Sequence, residues 1–299
     1  LYVGSGSPLS NVGTLTNQGI ELEVGYKLSV DKVNLSFLAN ASYVKNEIKN
    51  LGNQTGYIDK ESLPTLGTVS RNENGYPIGY FFGYKAIGVF QTQEEIDSYI
   101  SPATGKPIQP NAAPGDTKFE DLNGDGVISD DNEDRTMIGK PNPDWMVGLT
   151  VAADWNGFDL SAFFQGSFGA DVFDALRRYE LAAVNYTSDA LERWTGPGTS
   201  NSMPRIVLGD TPKNFRPSTL LVHDASFLRL RNLQVGYTLP AQLTRKAYIQ
   251  RLRFYASFDN LLTITGYKGM DPEIGSTMGI DKGVYPQARV YTFGLNLTF

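Results

Sequence analysis

Cysteine is absent from all 299 residues, which removes disulfides, zinc–thiolate centres and thiol nucleophiles. Histidine occurs once, at His223. A single imidazole builds no zinc cluster, and no Ser–His–Asp set follows from it, so His223 reads as structural, where a strand emerges from a loop. Positive charge is not in surplus either. The net charge is −6, and this acid excess argues against a nucleic-acid partner, which wants clustered Lys and Arg. No run of 18 apolar residues occurs, so no membrane helix is expected. A membrane barrel stays open, because its strands are only half apolar. No signal peptide stands before the opening LYVGSGSPLS, which reads as mid-sequence, so the chain is expected to be part of a longer protein.

What the chain has in quantity is alternation. In Tyr285 to Phe299, the residues Tyr291, Phe293, Leu295, Leu297 and Phe299 point one way, and Thr292, Gly294, Asn296 and Thr298 the other. That period of two is a strand with one apolar and one polar face. Gly19 to Val30 and Val33 to Tyr43 alternate likewise around a tight Asp31-Lys32 turn. Asp144 to Trp155 and Phe158 to Phe168 flank Asn156-Gly157, the strongest short hairpin signal. Ala225 to Leu239 and Arg251 to Leu262 complete seven strands. Between them lie a long excursion at 45–143, another at 169–224 and a Gly-rich loop at Thr263 to Val284. Ile78 to Phe90 is strand-like but is expected inside the first excursion. Gln93 to Tyr99, Asp171 to Val184, Ser188 to Trp194 and part of Pro240 to Gln250 read as short helices or helical turns.

Two features favour a membrane wall over a soluble sandwich. Trp145 and Trp155, Phe158 and Phe168, and Phe227 and Tyr237 are each spaced ten residues apart. Ten steps make roughly 33 Å of strand, and a tilt of about 45° matches that to an apolar band of about 25 Å between aromatic girdles. The connections also alternate between short and long, as periplasmic turns and extracellular loops do. Seven strands do not close a barrel, so the remaining wall is expected before Leu1. The fold class expected is therefore all-β: a partial transmembrane antiparallel β-barrel with long structured extracellular loops. Leu149, Val151, Leu160, Phe164, Val235, Phe254 and Leu295 are expected to face lipid. Thr150, Ser161, Gln234, Ser257 and Asn296 are expected to face the lumen. Arg229 and Arg231 share the face of Phe227 and Leu233 on strict alternation, which places them at the outer rim, near lipopolysaccharide head groups or protein. Glu21 and Glu23 read as wall residues rather than a glycosidase pair. Tyr80, Phe81, Phe82 and Tyr84 either stack on sugars or pack the loop interior, with packing favoured.

The stretch DLNGDGVI, Asp121 to Ile128, matches the start of an EF-hand-like calcium loop. Asp121, Asn123, Asp125 and the Val127 carbonyl are the first ligands, with Gly126 at the sharp turn. The twelfth position, normally acidic, is Asn132, so the closing ligand is left among Asp130, Asp131 and Asp134. The other reading is an acidic turn without metal.

Several blocks resemble the SusC/RagA-type TonB-dependent outer-membrane transporters, in that family's order along nearly the whole chain. They are NQGIE (Asn17 to Glu21), GDTKFEDLNGDG (Gly115 to Gly126), IGKPNPDW (Ile138 to Trp145), ERW (Glu192 to Trp194) with MPR (Met203 to Arg205), FLRLRNLQVGYTLP (Phe227 to Pro240), RFYASFDNLLTIT (Arg253 to Thr265) and the closing YPQARVYTFGLNLTF. The resemblance implies the C-terminal part of a barrel of about 22 strands, with 1–299 lacking the plug and early strands. It implies a SusD-like lipoprotein lid, TonB contacted through the missing N-terminal part, and Phe299 as part of the signal read by the barrel-assembly machinery. Cargo would be oligosaccharide, sometimes peptide. In that family an acid precedes an Arg at the end of the calcium segment; here Asp134 precedes Arg135 two residues late. The protein is read as an outer-membrane importer and not an enzyme. The alternatives are a secreted, calcium-bound β-sandwich that binds or hydrolyses glycans, and an adhesin or enzyme barrel without a plug.

Overall fold

The structure is a computed structural model that describes residues 13–181, 183–274 and 278–299. The opening at Leu1 lies outside them, as do residue 182 and residues 275–277 within two of the expected loops. The chain divides into two compact units. One comprises Leu1–Gln18, Lys45–Lys140 and Arg177–Leu221; the other comprises Gly19–Val44, Pro141–Leu176 and Val222–Phe299.

The second unit holds most of one antiparallel sheet of seven strands: β1 (Thr14–Val30), β2 (Val33–Asn50), β3 (Trp145–Trp155), β4 (Phe158–Phe168), β5 (Phe227–Thr238), β6 (Arg251–Thr265) and β7 (Val290–Thr298). They stand side by side in chain order. The first two strands run further than their alternation indicated, because the residues at 14–18 and 45–50 pair even though their apolar pattern lapses. Asn156 and Gly157 both adopt positive φ (48° and 88°), which gives a two-residue turn the twist of its flanking strands. A β-carbon on Gly157 would lie 2.7 Å from the Thr238 carbonyl oxygen, so the turn needs glycine for space as well as for conformation.

Register carries the faces across the sheet. Val151 pairs with Phe37 and Ala162, Leu149 with Ala39 and Phe164, Leu160 with Val235, Val235 with Ala256, and Phe254 with Leu295. Partners across an antiparallel ladder point to the same side. The polar row Ser161–Gln234–Ser257–Thr292 runs on the opposite face. The apolar face is uncovered: Ile20 and Phe293 are each 75% exposed and Leu295 is 59% exposed. A sandwich would bury that face under a second sheet, so the soluble reading fails here. Aromatic rings bound the face at both ends. Tyr43 and Trp145 stand 5.0 Å apart at one end, and Trp155, Phe158 and Tyr237 form a row at the other.

Strict alternation fails on β5. The ladder with β4 shifts between Phe163 and Phe164, because Arg231 is an extra residue between Leu230 and Asn232. The ladder with β6 shifts at the same place, where Asn260 takes φ 53°. Such a bulge reverses parity. Upstream of it, Leu228 and Leu230 join the apolar face, while Phe227 and Arg229 pair with Ser167 and Gln165 on the polar face. The expectation that Arg229 and Arg231 lie on the apolar side at the rim is therefore corrected. Phe227 likewise leaves the aromatic girdle and is buried. Asp171–Asp174, expected as helix, is a strand between Val222–Asp224 and Ile280–Asp281. Val172 and Phe173 at its centre are both fully buried, so this short strand is covered on both faces and shows no alternation.

The first unit folds the two excursions around an aromatic core. Ile78 to Phe90 is two strands, Tyr80–Tyr84 and Ala86–Val89. Tyr80–Tyr84 pairs with Arg135–Gly139 and with Ser70–Glu73, outside the seven-stranded sheet. Tyr80, Phe81, Phe82 and Tyr84 are all buried, which settles them as packing. Gln93–Ser98 is a short helix whose N-cap, Thr92, accepts from Glu95 N at 3.3 Å. Ser188–Glu192 is a 3-10 turn.

Candidate functional site

Three of the blocks singled out in the sequence, GDT, ERW and MPR, meet in the first unit. The buried Asp116 carboxylate accepts from Arg205 Nε (2.6 Å) and Nη2 (3.1 Å), from Asn214 Nδ2 (3.0 Å) and from Ala113 N (2.8 Å). A forked guanidinium–carboxylate pair of this kind fixes geometry as well as charge. Gly115 lies under the Trp194 indole, where a β-carbon would meet the ring at 2.4 Å. Trp194 N donates to Met203 O at 3.0 Å. GDT, ERW and MPR thus form one knot joining segments some 90 residues apart in sequence, as Arg205 and Asp116 are separated by 89.

The candidate calcium segment begins next to this knot in sequence. Asp121 accepts from Gly124 N (2.8 Å) and Gly126 N (2.9 Å), and Asp125 accepts from Val127 N (2.8 Å). These are the tight turns that an oxygen-lined loop requires, with Gly124 and Gly126 at φ 77° and 89°. Asn123 Nδ2 sits between Asp125 and Glu133, 3.0 Å from a carboxylate oxygen of each. Asp134 is fully buried and accepts from Leu122 N (3.1 Å) and Ser129 N (3.3 Å), which closes the loop onto its own start. Burial raises the Asp134 carboxyl above its ordinary range, the N–H donors only partly offset this, and Asp121 adds to the rise. Asp130 is turned away. It pairs with Lys213 and lies 3.7 Å from Arg216, and the Lys213 hydrogen bond lowers its carboxyl. Asp131 is bonded to Ser129 Oγ. The structure therefore brings Asp121, Asn123, Asp125 and Asp134 into one loop and takes Asp130 out of it. Among the described residues, no three Asp, Glu or His side chains stand close enough together to enclose an ion. The fit to a cation is partial, in its backbone turns and in Asp134 as the closing acid.

On the sheet's polar face lies a network that alternation missed. Arg231 donates to Gln165 Oε1 (2.7 Å) and to both Glu273 oxygens (2.6 Å each). Arg229 reaches Glu273 (3.0 Å), Asp271 and Thr263 Oγ1 (2.9 Å). These bonds fasten the segment after β6 to the strand surface. Two arginines two apart on a strand were the available signal; the bulge that turns both inward carries no sequence mark. Asp159 and Arg253 pair at 2.8 Å on the same face, across Gly236, where a β-carbon would strike the guanidinium at 2.5 Å. His223 packs near Asp174 (3.8 Å) and the Tyr267 ring.

An uncovered apolar sheet face bounded by aromatics, backed by a polar face carrying ion networks, is the wall of an outer-membrane β-barrel. No protein-family model matches the chain. TonB-dependent receptor P3 of Formosa agariphila is 32% identical over 312 residues, covering 100% of this chain and 30% of that protein. TonB-dependent receptor SusC of Bacteroides thetaiotaomicron is 30% identical over 295 residues, covering 97% and 27%. A solved structure of the RagAB peptide transporter superposes with a TM-score of 0.74 at 27% identity, covering 97% of this chain and 30% of that one. The chain thus belongs to the SusC/RagA TonB-dependent receptors of the outer membrane, and it spans about 30% of the length of the relatives it matches.

Proposed function

We propose that the transporter whose wall includes this chain imports a nutrient oligosaccharide across the outer membrane, energised through TonB, with a SusD-like lipoprotein as its lid. The observation that carries this is similarity to TonB-dependent receptors along nearly the whole of this chain, together with a sheet whose apolar face is built for lipid. The polar face supports passage rather than chemistry: its charges are committed to one another in Arg229, Arg231, Asp271 and Glu273, an arrangement suited to anchoring a loop. A second reading, peptide as cargo, is favoured by the likeness to a peptide transporter. Uptake of labelled oligosaccharides and labelled peptides by cells with and without the gene, and with and without TonB, separates them. Gene- and TonB-dependent uptake of oligosaccharide supports the proposal; gene-independent uptake of both classes overturns it.

The excursions at 45–143 and 169–224 face the outside in this reading, and calcium orders Asp121 to Asp134. Asp121, Asn123, Asp125, Asp134 and the Val127 carbonyl would hold the ion, and its contribution would be to neutralise a self-repelling loop. Phe299, three-quarters exposed just beyond β7, is proposed as part of what the barrel-assembly machinery reads.

A further inference from the structure

We propose that a cavity within the first unit binds a carboxylate, carried by an acidic sugar or by the C-terminus of a peptide, with Arg135 and Arg216 as its cationic wall. This deepens the import reading, since either ligand would be cargo. The cavity has a volume of about 550 Å³ and is lined by Tyr84, Asp130, Arg135, Glu180, Lys213 and Arg216 among others. That volume lies within the range of small-ligand sites, about 300–1,000 Å³.

Three cations, Arg135, Lys213 and Arg216, and three carboxylates, Asp130, Glu180 and Asp210, line it, but they do not pair one to one. Every acceptor of Arg135 is neutral: Asn132 Oδ1 at 2.7 Å, the Phe82 carbonyl at 2.6 Å and the Thr68 carbonyl. Its Nε is buried with no acceptor. Burial pulls this guanidinium down to about 10, as expected of an enclosed cation short of counter-charge. Arg216 Nε donates to the Lys213 carbonyl at 3.2 Å, and its guanidinium lies over the Tyr84 ring at 4.7 Å. Arg216 Nη1 is buried without an acceptor, because Asp130 at 3.7 Å is beyond hydrogen-bond distance. Asp130 is already engaged by Lys213. Asp130 therefore answers both Lys213 and Arg216, Asp210 is taken up by the Asn214 and Phe215 N–H groups, and Arg135 hydrogen-bonds no carboxylate.

Glu180 supplies the complement. Its Oε1 is held by Arg178 and by Thr65 Oγ1 (3.0 Å), while its Oε2 is buried without a donor. Buried polar atoms nearly always have partners. Here three that lack one belong to residues of a single cavity wall. The ligand they describe carries an anionic acceptor for guanidinium beside a hydroxyl or N–H donor for Glu180. Arginine matches the planar, two-oxygen geometry of a carboxylate. Uronic acids and peptide C-termini both offer that pair of groups.

The test is isothermal titration of the full-length, detergent-solubilised protein with galacturonate against galactose, and with tri-alanine against tri-alanine amide. In at least one pair the acid should bind at least tenfold tighter than its neutral counterpart, and that pair identifies the source of the carboxylate. Arg216→Gln and Arg135→Gln should each weaken the acid tenfold or more and leave the neutral compound unchanged. Arg216→Gln keeps the test decisive if loss of Arg135 disturbs folding, since Arg135 also ties two backbone carbonyls. Equal binding within both pairs, no binding by any of the four, or unaltered binding in the folded variants overturns the proposal. Binding is read without TonB or an energised membrane. Failed import with intact binding therefore leaves the site standing, and intact import with no binding removes the site alone.

Discussion

Arg229 on β5 donates to Asp271 at 2.5 Å, across 42 residues of chain, and both side chains are almost wholly buried. Asp271 in turn accepts from Glu273 N and Gln287 N, each at 2.9 Å, so one carboxylate shapes the loop and ties it to the wall. Burial by itself raises this carboxyl, but the two N–H donors and Arg229 together outweigh it and hold it below its ordinary range.

Asp271→Ala should leave Arg229 buried with only Glu273 to oppose it. Removing one partner of a buried pair costs about 3–5 kcal/mol. Limited proteolysis between 266 and 289 should accelerate, and the folded barrel should lose its resistance to SDS at a lower temperature. Arg229→Met combined with Asp271→Leu should recover part of that loss, because no charge is then stranded. A double variant as fragile as the single one would contradict the assignment.

Leu149 and Thr150 are neighbours on β3 that face opposite ways, as their ladder partners Phe164 and Phe163 show. Arg at position 149 would stand in lipid, at about 2–4 kcal/mol near the midplane. Leu149→Arg should therefore lower the amount of assembled protein in outer-membrane fractions, whereas Thr150→Arg should leave it near wild type. Equal loss in both would mean that the faces are assigned wrongly.

Asp125→Ala should loosen the Asp121 to Asp134 loop when calcium is present, seen as faster cleavage by a protease specific for that segment. Wild-type protein should be cut more slowly in calcium than in chelator. The same rate in both would end the proposal that a cation orders the loop.

Asp210 is buried in the first unit, and burial pushes its carboxyl up to about 6 despite hydrogen bonds from Phe215 N and Asn214 N. Arg216 opposes the rise and Glu180 adds to it. A folded value above the unfolded 3.8 means that folding takes up a proton between those pH values. The stability tied to neutral Asp210 is present below 3.8 and is lost as pH rises through about 6. Asp210→Asn does not titrate. Its unfolding free energy relative to wild type should therefore move in its favour from pH 4.5 to pH 7.5, by an amount on the order of 2 kcal/mol. A difference that stays constant with pH would rule this out.

Period two was sufficient to place all seven wall strands, because alternation is a property of neighbours in sequence and this sheet's strands run for at least 9 residues. The Asn156-Gly157 turn was equally legible, since its φ values are a local preference of those two residues. The aromatic rows containing Trp145 and Trp155 followed from spacing alone.

Other features belong to the tertiary structure. The bulge at Arg231 exists because β5 must match β4 on one side and β6 on the other, and one added residue reverses every face upstream of it. Phe227 and Arg229 are therefore buried on the polar side although their own sequence alternates without a break. Asp130 lies in an acidic loop, yet its partners Lys213 and Arg216 come from more than 80 residues away, so its loss from the calcium set was invisible locally. The same holds for Arg135, whose lack of a bonded carboxylate shows only when Asp130, Glu180, Asp210 and Arg216 are folded around one cavity. Side-chain direction along a strand is set by the backbone period. Charge balance is set by whichever distant segments the fold brings within a few ångströms, where the interaction of two charges falls as the inverse of their separation.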